Sequence, residues 1–418
     1  MNNSQTSFPS GKMNKTLLAL LAAFALSGIG SPASAQNVRP EVGKPLQAAV
    51  EFVKAKKGKE ALAKLKEAEA ASDRSAYETY LIERTRGQAA TSAGEAGLAA
   101  RSFEAAATSS AAPANDRLPM LAAAAGQYYM AKDYAKAADV AGKYLKDGGS
   151  EAGVRTLLVQ SLYLGGDLGR ASKEIGGLIE AQEQQGKGAS EDQLQLWVTI
   201  CSKLKDAACQ ARALDKLLTA YPKPSYWQSA IYDVTSASNF PSRLALDVAR
   251  LKLYVGTMNN TEEYFEAAQL ALQEGLPTEA KKIVDKGFAA GLLGTGAEAE
   301  RHRRLQNMVA KALADDDKTL GQGDAALANA KDGTPLVLTG FNYVTRGQTD
   351  KGLAMMEQGI SKGGFKRPED MTLRLGIAQA LSGQATKASH TLAGVQGEGT
   401  AALAKLWSIA ARKPNAAK

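Results

Sequence analysis

The chain has very few of the residues that most often carry catalysis or bind metals. Its 418 residues include two histidines, His302 and His390, and two cysteines. The histidines are far apart in sequence, and neither has cysteine or carboxylate neighbours at the spacing of a metal-binding motif. We therefore expect neither a metal site nor a cofactor.

The motifs of common enzyme classes are also missing. The sequence contains no G-x-S-x-G, no G-x-x-x-x-G-K-[ST] and no H-E-x-x-H, the signatures of serine hydrolases, phosphate-binding loops and zinc proteases. A glycine-rich stretch at 291–296 follows a helical segment, not a strand, which predicts a helix end and a turn. Glu262 and Glu263 open a helix, where carboxylates interact favourably with the dipole. The sequence thus predicts a protein that is not an enzyme.

Concentrated charge of one sign is absent as well. The chain has 51 lysines and arginines and 43 acidic residues, without a basic face dense enough to predict nucleic-acid binding. A basic cluster, "RHRR" at 301–304, follows Glu298 and Glu300. This spacing predicts ion pairs on a solvated helix face. Contact with an anionic lipid or another polyanion is the alternative.

One apolar run, "TLLALLAAFALSGIG", lies near the start of the chain. It follows Lys12 and Lys15 and precedes the small residues "ASA". This order predicts a secretory signal peptide, residues 1–35, cut after Ala35, with an uncleaved anchor as the alternative. Translation could start at either Met1 or Met13, since both precede the apolar run. Since no later run is long enough to span a bilayer, we expect a periplasmic or secreted protein without an integral membrane segment after cleavage.

The two cysteines, Cys201 and Cys209, lie on either side of a predicted turn near Lys205 and Asp206. In an oxidising compartment such a pair can form a disulfide. The alternative is two small buried hydrophobic residues. The sequence leaves both interpretations open because it does not give the geometry of the Cβ atoms.

The segment "QYYMAKDYAKAADVAGKYL", residues 127–145, belongs to a pair of helices. Apolar residues recur at helical spacing on both sides of a turn at Lys132 and Asp133, which predicts two amphipathic helices of about a dozen residues. Alanines stand where the helices come close together, and tyrosines fill the space beside them.

The same signature recurs along the chain. A turn followed by the opening of a second helix, usually at a small residue, appears at positions 61, 99, 137, 171, 210, 280, 352 and 388. The two longest intervals each contain a degenerate copy, "SNFPSRLALDVARL" and "ADDDKTLGQGDAAL". We therefore predict about ten helix pairs with a mean period near 36 residues.

This pattern resembles the tetratricopeptide repeat, whose helix-turn-helix unit has about 34 residues. The resemblance rests on the period, on Pro222 at the end of a unit, and on small residues within the first helices: Gly87, Ala125, Ala268, Gly340 and Gly376. It implies a right-handed all-α solenoid over 36–418, with repeats at about 44–395 and a C-terminal capping helix at about 399–412. Trp407 would pack inward from that helix. The chain looks like the exported tetratricopeptide proteins of Gram-negative bacteria.

The resemblance also implies a function. In this family the first helices line a concave face that binds ligands, which here would carry Tyr129, Gln160, Tyr163, Gln195, Thr199, Lys203, Phe265, Gln269, Gln273 and Phe341. Neutral polar and aromatic groups suit a protein or peptide partner. We expect a non-enzymatic periplasmic scaffold for protein–protein interaction, in envelope assembly or export. The alternative is a glycan-handling accessory protein of exopolysaccharide or peptidoglycan machinery.

Overall fold

The computed structural model describes residues 38–327, 329–397 and 399–412. Within these residues the regular structure consists of 21 α-helices and one 3₁₀ turn, without a strand, which confirms the predicted all-α fold. The predicted signal peptide lies outside the described residues. None of the described helices combines the length and the apolar character needed to cross a membrane.

The chain folds as two compact units. The first ends at Ala213 and the second begins at Leu214. The first ten helices are α1 (Pro40–Lys54), α2 (Gly58–Glu69), α3 (Ala76–Ala93), α4 (Ala96–Thr108), α5 (Ala114–Met130), α6 (Tyr134–Lys146), α7 (Ala152–Leu164), α8 (Leu168–Gln184), α9 (Glu191–Leu204) and α10 (Ala207–Ala220). The boundary falls inside α10. No linker therefore marks it in the composition.

The second unit contains a further eleven helices. These are α11 (Pro224–Thr235), α12 (Ala245–Tyr254) after the 3₁₀ turn Ser242–Leu244, α13 (Thr261–Gln273), α14 (Pro277–Ala289), α15 (Ala299–Thr319), α16 (Asp324–Leu327), α17 (Thr334–Thr345), α18 (Thr349–Lys362), α19 (Pro368–Leu381), α20 (Ala385–Ala393) and α21 (Thr400–Arg412). The two degenerate copies correspond to α11–α12, joined by a long connection, and to α15–α16, whose second helix has four residues.

A residue with left-handed backbone dihedral angles forms the turn of most helix pairs. In the first unit these residues are Lys56, Gly94, Lys132, Gly166 and Lys205, with φ between 56° and 85°. In the second unit Gly275, Gly347 and Gly383 have φ between 71° and 84°. Their positions reproduce the intervals of the predicted signature, which confirms the repeat period. A left-handed residue ends the first helix and reverses the chain at once.

Small residues allow the two helices of a pair to come close together. The alanines that open the second helices, at positions 61, 99, 137, 171, 280 and 388, are all fully buried. The closest approach occurs between α17 and α18. A Cβ atom on Gly340 would lie 2.6 Å from the carbonyl oxygen of Gly352, and one on Gly352 would lie 2.5 Å from the carbonyl oxygen of Gly340. Here even alanine is too large.

Long-range contacts distinguish the second unit from an open array, in which each pair contacts only its neighbours. Its last helix, α21, packs against α11 and α12 at the start of the unit as well as against α19 and α20. The side chain of Trp407 is fully buried, and its Nε1 donates a hydrogen bond to the carbonyl oxygen of Asp247 at 3.2 Å. Arg243 forms two hydrogen bonds with the carboxylate of Asp370, at 2.6 and 3.0 Å.

A buried ionic cluster lies in the interior of this unit. Arg250 of α12 bonds Asp247 at 2.6 Å and forms a two-pronged pair with Glu279 of α14, both distances being 2.7 Å. Its guanidinium also lies 4.3 Å from the ring centroid of Phe341 on α17. Burial alone would lower the pKa of Arg250, but Glu279 and Asp247 offset that effect and raise it. Because a buried charge left alone is costly, the three side chains depend on one another.

Substitution at the closest helix contact tests this packing. We expect Gly340→Ala to lower the free energy of unfolding by about 1–3 kcal/mol, because the added methyl group meets backbone that cannot move aside. Gly142→Ala is the matched control, since Gly142 lies inside α6 and a Cβ there meets nothing within 4 Å. That variant should be neutral or stabilised by about 0.5–1 kcal/mol. Denaturant unfolding followed by circular dichroism measures both, and equal effects would contradict the packing argument.

Candidate functional site

Six of the side chains that the sequence predicts for partner binding lie on the first helices of three successive pairs in the first unit. We call this surface the first-helix face: Tyr129 on α5, Gln160 and Tyr163 on α7, and Gln195, Thr199 and Lys203 on α9. Lys203 is exposed, and the others are partly exposed. Residues three or four apart lie on the same side of a helix. Their spacing therefore gives α7 a stripe with an amide and an aromatic ring, and α9 a polar stripe.

A direct contact joins two of these stripes. Nζ of Lys203 donates a hydrogen bond to the hydroxyl oxygen of Tyr163 at 2.8 Å. The same ammonium lies 4.6 Å from the centroid of the tyrosine ring, within the range of a cation–π interaction. Since these groups come from α7 and α9, the pair links successive repeats and fixes the orientation of both side chains at the surface.

The other members of the face are held in less direct ways. The ring of Tyr129 packs edge-on against Tyr134, with centroids 5.6 Å apart, and burial raises the pKa of its hydroxyl. Thr199 donates to the backbone carbonyl of Gln195 at 2.9 Å. The buried Oε1 of Gln160 accepts no hydrogen bond from the described residues. An N–H group of a ligand could satisfy that oxygen.

Exposed apolar residues next to this face were not predicted from the sequence. Met130, Leu164 and Leu204 are exposed by 42%, 46% and 36%. Each is the last residue of its helix, in α5, α7 and α9. The signal was present in the sequence, where each residue directly follows Tyr129, Tyr163 or Lys203. Amphipathic periodicity did not reveal it because helix ends lie outside the packed stripe.

The four predicted residues of the second unit behave differently. Gln269 and Gln273 are exposed on α13. Phe265 and Phe341, by contrast, are 4% and 1% exposed, so they belong to the core. The prediction that they line an open surface is wrong. The guanidinium of Arg301 covers the ring of Phe265 at 3.9 Å, while Arg250 covers Phe341. The helical register placed these rings on the correct helices without showing which residues would cover them.

His302 and the basic cluster make contacts within the fold. His302 is buried, and its Nδ1 accepts a hydrogen bond from the backbone N–H of Gly294 at 3.1 Å. His390 is exposed at the end of α20. Arg301 and Arg303 pair with Glu298 and Glu300 at 3.5 and 2.9 Å, as predicted for a solvated helix face. In the part of the chain that the structure describes, no three metal-ligating side chains come together.

Cys201 and Cys209 form a disulfide, with their Cα atoms 5.4 Å apart. It joins α9, which carries three residues of the first-helix face, to its partner α10. The Oγ atom of Ser172 on α8 lies 3.1 Å from the sulfur of Cys209. The disulfide therefore closes the turn at Lys205 and fixes the position of α9 within the unit.

Comparison with known proteins does not assign the chain to a family. No protein-family model and no curated protein matches it. Eleven chains of solved structures match. One belongs to "Structure of Naa15/Naa10 bound to HypK-THB", at 12% identity and a TM-score of 0.24, covering 86% of this chain and 70% of that one. Because that score is low, the description of the fold rests on the helices themselves.

Loss of the disulfide should loosen the pair that it closes. In the Cys201→Ser/Cys209→Ser variant we expect the free energy of unfolding of the first unit to fall by about 2 kcal/mol, since a short cross-linked loop restricts the unfolded chain. A reductant should lower the melting temperature of the wild type but not that of the variant. Thiol titration of the denatured protein provides the check. Two free thiols in protein purified without reductant would contradict the bond.

Proposed function

We propose that this protein is a non-enzymatic scaffold that binds a protein or peptide partner through the first-helix face. The observation that carries the proposal is that three successive first helices, α5, α7 and α9, each end on an exposed apolar residue, Met130, Leu164 and Leu204. Exposed apolar groups that cluster on a soluble protein often belong to an interaction surface. Aromatic residues add large contact areas with few rotatable bonds.

The fold does not require apolar residues at these three positions. The last residue of the first helix is Lys54 in α1, Gln273 in α13 and Thr345 in α17, so the turn also accepts charged and polar side chains. Leu381 at the end of α19 is also apolar and 42% exposed, but α5, α7 and α9 form the one run of successive first helices, among those described, that end on exposed large apolar residues. For three such residues in succession, binding of a partner is the explanation that we favour.

Neighbouring groups suggest the chemistry of the partner. Lys203 adds a positive charge held over Tyr163, and Gln160 contributes a buried amide oxygen that accepts no hydrogen bond from the described residues. A segment with apolar anchors and backbone or amide groups between them would complement this surface. The rigid helix pairs hold the contact residues in place, which reduces the entropy lost on binding.

Photo-crosslinking in intact host cells tests the proposed face. With a photoreactive amino acid at Leu164, we expect a discrete protein adduct that mass spectrometry identifies. Tyr129→Ala/Tyr163→Ala should weaken binding about thirtyfold and reduce that adduct accordingly, since two aromatic contacts of about 1 kcal/mol each contribute about 2 kcal/mol together. Circular dichroism checks that the variant stays folded.

The matched control places the same photoreactive group at Met308, which is 60% exposed on α15 of the second unit. It should not give the same adduct. Identical adducts at both positions, or an adduct at Leu164 that survives removal of both tyrosines, would rule out a specific partner on this face.

We also propose that the protein acts outside the cytoplasm, in the periplasm or as a secreted protein, in envelope assembly or export. The predicted signal peptide, residues 1–35, and the disulfide both support an oxidising compartment. Mass spectrometry of the protein isolated from its host should find a mature N-terminus at Gln36. An N-terminus at Met1 or Met13 in the functional protein would contradict this localisation.

A further inference from the structure

A second surface feature lies in the second unit, at the degenerate pair α11–α12. A cavity of about 340 Å³ opens between α11, α12 and the segment that leads into α13. This volume is at the lower end of the range for small-molecule sites. Tyr232 of α11 lies at its wall and is 69% exposed, an unusual environment for so large an aromatic ring.

The charged groups of this cavity neutralise each other. Nζ of Lys252 donates to Oε1 of Glu263 at 2.7 Å, and Oε2 of Glu263 accepts a hydrogen bond from the backbone N–H of Asn259 at 3.1 Å. The site therefore offers no free cation to a phosphate or carboxylate ligand. The same two contacts hold Lys252, Glu263 and Asn259 together along one wall of the cavity.

The remaining lining is mostly neutral and polar. Gln228 lies one helical turn before Tyr232 on α11, and Thr235, Thr257 and Asn259 add two hydroxyls and a second amide. Amides and hydroxyls can both donate and accept hydrogen bonds. An exposed aromatic ring beside them provides a flat apolar surface. A ligand that matches both features has an apolar face and a rim of hydroxyl groups.

We propose that this cavity binds an uncharged carbohydrate, with one sugar ring stacked on Tyr232 and its hydroxyls bonded to Gln228 and Asn259. The cavity is small, and its two charged groups pair with each other, which favours such a ligand over a peptide. A peptide would need a longer groove for its backbone and apolar pockets for its side chains. The site is separate from the first-helix face and does not depend on the function proposed for that face.

The test uses maltotriose, cellotriose and chitotriose as probes of the mature protein, residues 36–418. We expect at least one of them to show saturation-transfer signals and to bind in isothermal titration calorimetry, with a dissociation constant of about 1 mM or below. Tyr232→Ala should weaken binding about tenfold through loss of stacking, whereas Tyr232→Phe should retain it. Gln228→Ala should weaken binding less than Tyr232→Ala does.

Tyr163→Ala is the control, because it removes an aromatic residue of the first-helix face and should leave sugar binding unchanged. Three results would overturn the proposal: no binding of any probe at about 10 mM, binding that Tyr232→Ala does not weaken, or equal binding of a blocked neutral tripeptide at the same residues. None of these affects the crosslinking at Leu164, so the two proposals fail independently.

Discussion

Close approach of the two helices in each pair is the constraint on which the rest of the structure depends. It requires alanine or glycine where the helices cross, and in most pairs a left-handed residue where the chain turns. Once these positions are fixed, the large side chains fill the space beside the crossing. Tyr128 and Tyr144 do so in α5 and α6, where both are buried. The repeat is therefore defined by the crossing positions, which exclude large side chains.

This exclusion explains how much the sequence could predict. Fully buried alanines and positive-φ turn residues leave a pattern in the chain, so the helix pairs, their period and the positions of the turns could all be predicted. Burial across pairs leaves no such pattern. Phe265 and Phe341 lie at plausible surface positions of their helices, yet Arg301 and Arg250 cover them. Both arginines come from other helices, which only the tertiary structure brings near.

The packing of the last helix of the second unit against the first helices of that unit could not be predicted from the sequence either. The pairs that make this connection, such as Arg243 with Asp370 and Trp407 with Asp247, lie more than 100 residues apart. The hydrogen bond between Arg374 and Glu274, 2.7 Å long, adds a third link of this kind. Local periodicity carries no information about such pairs because each partner looks like an ordinary helical residue. The pairs tie the first and last helices of that unit into one cooperative structure.

Both proposed sites lie at positions where the packing of the repeat does not fix the residue type. Met130, Leu164 and Leu204 are partly exposed at helix ends where other first helices carry Lys54 or Gln273, so the repeat does not dictate an apolar residue there. The cavity beside Tyr232 lies at α11–α12, where the long connection at 236–244 replaces the short turn of regular pairs. A regular turn would place the second helix directly against the first and leave less room for a cavity. Departures from a repeat are therefore informative positions, since the fold no longer dictates which residues occupy them.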